Sequence, residues 1–141
     1  MMTVRTEIAD SNPLRVVIDS NNIITDKSLN IFSSDAETLI LNNNNSEMLA
    51  NGKLDLKSAL IKLGEMGINN LLLEAGSGLN GAMTEAGLID EFIIYTAPLI
   101  LGSDANPMIK LPLKKLSNKI MLNIIEFSQI DCDIKIRATI K

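Results

Sequence analysis

Glu74 and the run Gly76-Ser77-Gly78 are the residues of this sequence whose types and spacing could do chemistry. Leu71 to Leu73 form an apolar run just before them, expected as a strand buried on both faces. Glu74 and Ala75 then close that strand, and Gly76, Ser77 and Gly78 make a turn. Glycine has no Cβ and tolerates positive φ, so such a turn lets backbone approach a ligand closely. A helix is expected to start near Leu79, with its free N–H groups facing whatever lies over the turn. That is a physical site for phosphate. A carboxylate at a strand tip beside an anion-binding turn points to a nucleotide site with a polar handle. The plain alternatives are a simple strand-to-helix connector and a Glu74 that only caps the helix or pairs with a lysine.

The elements that must position these residues can be read in chain order. Asn12 to Ser20 (NPLRVVIDS) reads as a strand, because Val16, Val17 and Ile18 are contiguous and β-branched. Asp19 and Ser20 end it in a turn cluster with Asn21 and Asn22; they either cap that turn or meet a ligand at the carboxyl end of the strand. Arg15 reads as solvated or structural. Residues 23–34 read as loop with a turn of helix at Leu29 to Phe32, Thr38 to Asn42 as a short buried strand, and Asn42 to Asn45 as a solvated loop. Asp55 to Met66 is the clearest helix: Leu56, Ala59, Leu60, Leu63 and Met66 or Gly67 recur on one face, with Asp55 as N-cap and Gly67 as the residue just past the end. It would link strand 38–42 to strand 70–75 as a right-handed parallel crossover. Glu91 to Pro98 reads as a further strand, with Asp90 and Glu91 structural.

The rest is loop and hairpin. Residues 103–117 carry Pro107, Pro112 and the lysines Lys110, Lys114 and Lys115, which read as a solvated face. Lys119 to Ile130 and Asp133 to Ile140 read as two antiparallel strands, since Ile134, Ile136, Ala138 and Ile140 alternate with polar residues. Cys132 falls in their turn. The whole is an α/β domain.

Composition narrows the function classes. At 141 residues the chain is one domain with room for a core, and 46% hydrophobic with 21% charged residues makes it globular. A net charge of −4 argues against a nucleic-acid binder, and no apolar run reaches a membrane span. The opening MMTVRTEIAD lacks the apolar centre of a secretion signal, and the single Cys132 forbids an internal disulfide, so a cytoplasmic protein is expected. There is no histidine, which removes Ser-His and Cys-His nucleophiles, histidine metal sites and zinc deaminase chemistry. Chemistry carried by a cofactor fits best, and no metal is expected; hydride transfer asks the protein mainly for binding and orientation.

The segment LLLEAGSGLNGAMTEAGLIDEFIIYTAPLILG closely resembles the C-terminal reductase domain of the bifunctional riboflavin-biosynthesis deaminase/reductase. Glu74, Gly76, Asp90, Glu91, Pro98 and Gly102 fall on that family's pattern in order, and Pro13 to Ser20 matches a second family segment. The resemblance implies a dihydrofolate reductase-like mixed sheet with flanking helices, parallel core strands and antiparallel C-terminal strands. It implies NADPH-dependent reduction of 5-amino-6-(5-phosphoribosylamino)uracil. Glu74, with Met2 and Arg5 of the MMTVR start, would bind that phosphorylated pyrimidine substrate. Ser20 and the run Gly76, Ser77, Gly78, Leu79, Asn80, Gly81, Ala82 would bind NADPH. The resemblance names no catalytic proton donor among these residues.

In that family several strands and a helix precede the MMTVR position, so residues 1–141 are expected to be a partial reductase domain without those strands or a deaminase domain. Unpaired sheet edges would then favour a homodimer or larger homo-oligomer. Two other readings stand beside this one. The chain could be a non-catalytic nucleotide-binding or dimerisation module. A generic dinucleotide-binding domain is disfavoured, because no acidic residue follows the glycine turn at the end of a next strand.

Overall fold

The computed structural model describes residues 12–141. They fall into two compact units that meet in sequence between Asn70 and Leu71. In the first unit, β1 (Arg15–Ile18) pairs in parallel with β2 (Thr38–Leu41), in the register Arg15↔Thr38 to Ile18↔Leu41. Parallel strands need a long connection, and residues 19–37 supply it with a 3₁₀ turn at Asn30–Phe32.

Arg15 holds this connection in place. Its side chain is 2% exposed, so it is structural and not solvated. The guanidinium donates to Asn30 O (3.1 Å), Ser33 Oγ (3.0 Å), Ser33 O (2.6 Å) and Ala36 O. A planar fork with several donors suits such a ring of acceptors.

Helix α1 (Leu56–Glu65) follows the sequence expectation closely. The Asp55 carboxylate accepts from the N–H groups of Lys57 (2.9 Å) and Ser58 (3.2 Å), satisfying first-turn donors that the helix itself leaves free. At the other end Gly67 takes φ +85, and the Ile68 N–H returns to Leu63 O at 3.1 Å. Ala59 and Leu63 are buried. Leu41, Leu54 and Ala59 form a core packed by Val16, Ile18, Leu39, Met48 and Leu56. Met66, expected on the same face, is 52% exposed because it is the C-cap and has left the helical spiral.

The expected strand at 70–75 is a correction. Residues 68–76 enter no ladder, and Leu71 and Leu72 are 44% and 71% exposed. An apolar run becomes a buried strand only if neighbours pair with it on the hydrogen-bonding edges. Among the described residues β1 pairs only with β2, and the remaining strands pair only with one another. The parallel crossover through α1 is therefore not formed; the parallel pair is β1 with β2.

The second unit begins with α2 (Ser77–Glu85), followed by β3 (Phe92–Thr96), β4 (Leu122–Ile130) and β5 (Asp133–Ile140). These strands form an antiparallel sheet in the order β3-β5-β4. Asp131 takes φ 52 in the turn from β4 to β5, a conformation that Asp tolerates better than most residues. The expected parallel strands and antiparallel C-terminal strands are both present, each in its own ladder.

The register shifts between Ile124 and Glu126, leaving Ile125 as the extra residue of a bulge. That shift sets Glu126 opposite Arg137. Glu126 pairs with Arg137 Nη1 at 3.2 Å and Lys135 Nζ at 3.3 Å, and Arg137 Nε reaches Glu91 at 3.2 Å. Glu91 is thus structural, as a partner for a basic group. No helix among the described residues is long and apolar enough to cross a membrane.

Candidate functional site

The site is built on the start of α2. Gly76 is the N-cap, with φ −71 and ψ 166, and Ser77 is the first helical residue. The helix thus starts two positions earlier than its expected start near Leu79, and Ser77 and Gly78 belong to its first turn. Neither Gly76 nor Gly78 has a positive φ, so the backbone here does not require glycine by conformation.

What glycine supplies at these positions is open space. A Cβ at Gly76 or at Gly78 would meet nothing within 4 Å. The Asn80 N–H makes the first-turn bond to Gly76 O at 3.1 Å. The N–H groups of Ser77, Gly78 and Leu79 precede it and have no acceptor inside the helix. No acidic residue lies in the first turn. Unpaired donors, the positive end of a helix dipole and an unobstructed face together fit an anionic pyrophosphate.

Glu74 lies just before this turn. Its side chain is exposed, with no hydrogen bond or ion pair to the described residues. It neither caps α2 nor pairs with a lysine, so the carboxylate can accept hydrogen bonds from a bound molecule.

Asn80 and Gly81 are engaged inside the chain. Asn80 Nδ2 donates to Ala75 O (3.0 Å) and to Met108 O (3.2 Å). The Lys110 N–H donates to Ser77 O at 2.9 Å. A Cβ at Gly81 would stand 2.0 Å from Lys110 O, so this glycine admits the backbone of the loop. Leu79 and Ala82 are half-buried on the same helix.

Ser20 belongs to the first unit, beyond the carboxyl end of β1. Its Oγ accepts from the Leu54 N–H at 3.2 Å. Its neighbour Asp19 is buried and caps the turn, accepting from Ile23 N–H (3.0 Å) and Ile24 N–H (2.8 Å). Met2 and Arg5 lie outside the described residues. The structure therefore brings together Glu74 and Gly76 to Ala82. Gly102 has no positive φ and faces open space, so conformation does not require glycine there.

Sequence reasoning did not find the Asn80–Gly81 contact with the 108–110 segment. The available signal was a glycine inside a helix, which is disfavoured there unless something approaches closely. The asparagine run is a solvated loop as expected, with Asn43 to Asn45 exposed, and its own side chains brace the turn: Asn45 Oδ1 accepts from the Asn42 N–H at 2.9 Å, and Asn45 Nδ2 donates to Ile40 O at 2.7 Å. Among the described residues no group of three or more His, Cys, Asp and Glu could hold a metal.

The family model of the RibD C-terminal domain matches residues 1–136. The chain belongs to the RibD C-terminal domain family. It is 35% identical over 138 residues to the protein named 5-amino-6-(5-phosphoribosylamino)uracil reductase of Buchnera aphidicola from Acyrthosiphon pisum, covering 89% of this chain and 66% of that one. It is also 35% identical over 135 residues to the riboflavin biosynthesis protein RibD of Escherichia coli K12, where it spans 36% of the relative. Among solved structures, Acinetobacter baumannii RibD superposes with a TM-score of 0.81 over 99% of this chain and 42% of that one, at 22% identity. That likeness shows the fold, and it agrees with the α/β dihydrofolate reductase-like class expected from sequence.

Proposed function

We propose that this chain carries the pyrimidine reductase function of riboflavin biosynthesis: NADPH-dependent reduction of the ribosyl group of 5-amino-6-(5-phosphoribosylamino)uracil to the ribityl product. The reading is supported by membership of the RibD C-terminal domain family and by relatives that bear this reductase's name. The observation that carries it to the residues is the open first turn of α2 beside the unpartnered Glu74. The N–H groups of Ser77, Gly78 and Leu79 hold the cofactor's pyrophosphate, and the Glu74 carboxylate accepts hydrogen bonds from the phosphorylated pyrimidine. Ser20 adds a hydroxyl to the cofactor, and Met2 and Arg5 contact the substrate. A bound nicotinamide would supply a hydride for C1′ of the ribosyl group, whose ring would open to the ribityl chain, and no described side chain is assigned as the donor of the accompanying proton. The protein's own part is orientation and electrostatics. It acts in the cytoplasm on a small molecule, not on nucleic acid or a membrane, as a homodimer or larger homo-oligomer. Exposed Tyr95, Ile124 and Phe127 on the antiparallel sheet support association.

The test is titration of NADPH and NADP⁺ against the parent chain and Gly78→Val, with thermal melting alongside. The valine adds a branched side chain where the ligand must touch backbone, in space that is otherwise empty. Selective loss of affinity with a melting shift of only a few degrees (about 1 kcal/mol) is expected. Equal affinities in the two proteins would defeat the assignment. Glu74→Gln is expected to keep cofactor binding and to weaken substrate binding, since an amide loses the charge-assisted acceptor.

A further inference from the structure

The connection between β3 and β4 spans residues 97–121, and its regular structure is one 3₁₀ turn at Leu116–Asn118. Connections beyond about 12–15 residues without structure of their own are uncommon and are usually functional or disordered. This one is tied down at a particular place. The Lys110 N–H reaches Ser77 O at 2.9 Å, and Asn80 Nδ2 reaches Met108 O at 3.2 Å while also holding Ala75 O at 3.0 Å. All of these contacts fall on the first turn and a half of α2 and on the residue just before its N-cap.

Gly81 is the complement of those bonds. Lys110 O would lie 2.0 Å and Lys110 C 2.9 Å from a Cβ at this position, and both are backbone atoms that cannot swing aside as a side-chain tip could. Asn80 is committed as well. An amide nitrogen has two donors, and both find carbonyls within the chain. Neither residue is therefore free to hold a phosphate in the way that the open Gly76 and Gly78 are.

We propose that Asn80 and Gly81 are positioning residues. They latch Pro107–Lys110 against the first turn of α2, so that this segment forms one wall of the cofactor site and cofactor affinity depends on it. The proposal rests on the reading of α2 as the NADPH site.

Amide hydrogen exchange over residues 105–113 and NADPH titration test it, on the full chain as parent, Gly81→Ala, Asn80→Ala and Asn80→Gln. Gly81→Ala and Asn80→Ala are expected to speed exchange at Met108 to Lys110. They should also weaken NADPH binding by on the order of tenfold, the loss that accompanies one well-placed contact. Asn80→Gln keeps both amide donors on a longer stem, so it should recover much of the protection and of the affinity together. If Gly81→Ala fails to fold, the two Asn80 variants carry the comparison, because they force nothing into the loop backbone. Unchanged exchange in the folded variants overturns the latch. Faster exchange with unchanged NADPH affinity overturns the wall. Affinity lost in Asn80→Gln while its loop stays protected would mean that Asn80 touches the cofactor directly, and would also overturn the proposal. A parent chain that does not bind NADPH defeats the underlying functional reading and the wall together, whereas a binding parent with indifferent variants defeats the latch alone.

Discussion

Replacing Arg15 by methionine keeps most of the aliphatic stem and removes the guanidinium. The group lost donates to four acceptors, Asn30 O, Ser33 Oγ, Ser33 O and Ala36 O, from a side chain that is 2% exposed. Nε is buried without a partner, so the loss is confined to the two terminal nitrogens. Asn30 is exposed, and water can replace the donor there. The acceptors of Ser33 and Ala36 are half-buried, and each left unsatisfied costs about 1–3 kcal/mol. The sum for Arg15→Met is about 3 kcal/mol after partial resolvation, or roughly a 100-fold rise in exchange through opening of the first unit. Hydrogen exchange at Val16 to Ile18 and Leu39 to Leu41 reads that unit directly, since the one tyrosine, Tyr95, lies in the other. Arg15→Lys should fall between parent and methionine, because a point-like ammonium cannot reproduce the fork. A change below about 0.5 kcal/mol for Arg15→Met, the size of an ordinary surface substitution, would refute the claim that Arg15 organises the 30–36 connection.

Asp55→Ala removes the acceptor for the Lys57 and Ser58 N–H groups and should destabilise α1 by about 1 kcal/mol, with Asp55→Asn much milder; denaturant midpoints and exchange within residues 56–65 check this. The hydrogen bond from Lys135, then its charge, with a smaller pull from Arg137, holds the Glu126 carboxyl below its usual range against the opposing effect of desolvation. A carboxyl lowered in the folded state stabilises above its unfolded pKa, and that contribution disappears as pH falls through the folded value. The parent's stability advantage over Glu126→Gln should therefore be present at neutral pH, begin to fall as pH drops through the ordinary glutamate range of about 4.3, and vanish only below the lowered folded value; an advantage independent of pH would contradict the pairing.

How much of this molecule could be read from its residues depends on the range of the interactions involved. Helix α1 was legible at both ends, because Asp55 and Gly67 act on backbone only a few positions away. Strand β5 was legible because alternation along Ile134 to Ile140 marks an extended segment, although of its apolar residues Ala138 is buried while Ile134 and Ile140 are exposed. The start of α2 was legible to within two positions, since Gly76 to Gly78 are local to it. The order of residues did not reveal the fate of Leu71 to Leu73, because a strand needs an edge to pair with and no apolar run names its partner. Nor did it show that Arg15 ties down the 30–36 connection, that a bulge at Ile125 sets Glu126 against Arg137, or that Gly81 makes room for Lys110. Each of these joins segments far apart in the chain. Their contacts exist only once folding has met the loop-closure entropy, so they are properties of the tertiary structure and not of any local stretch.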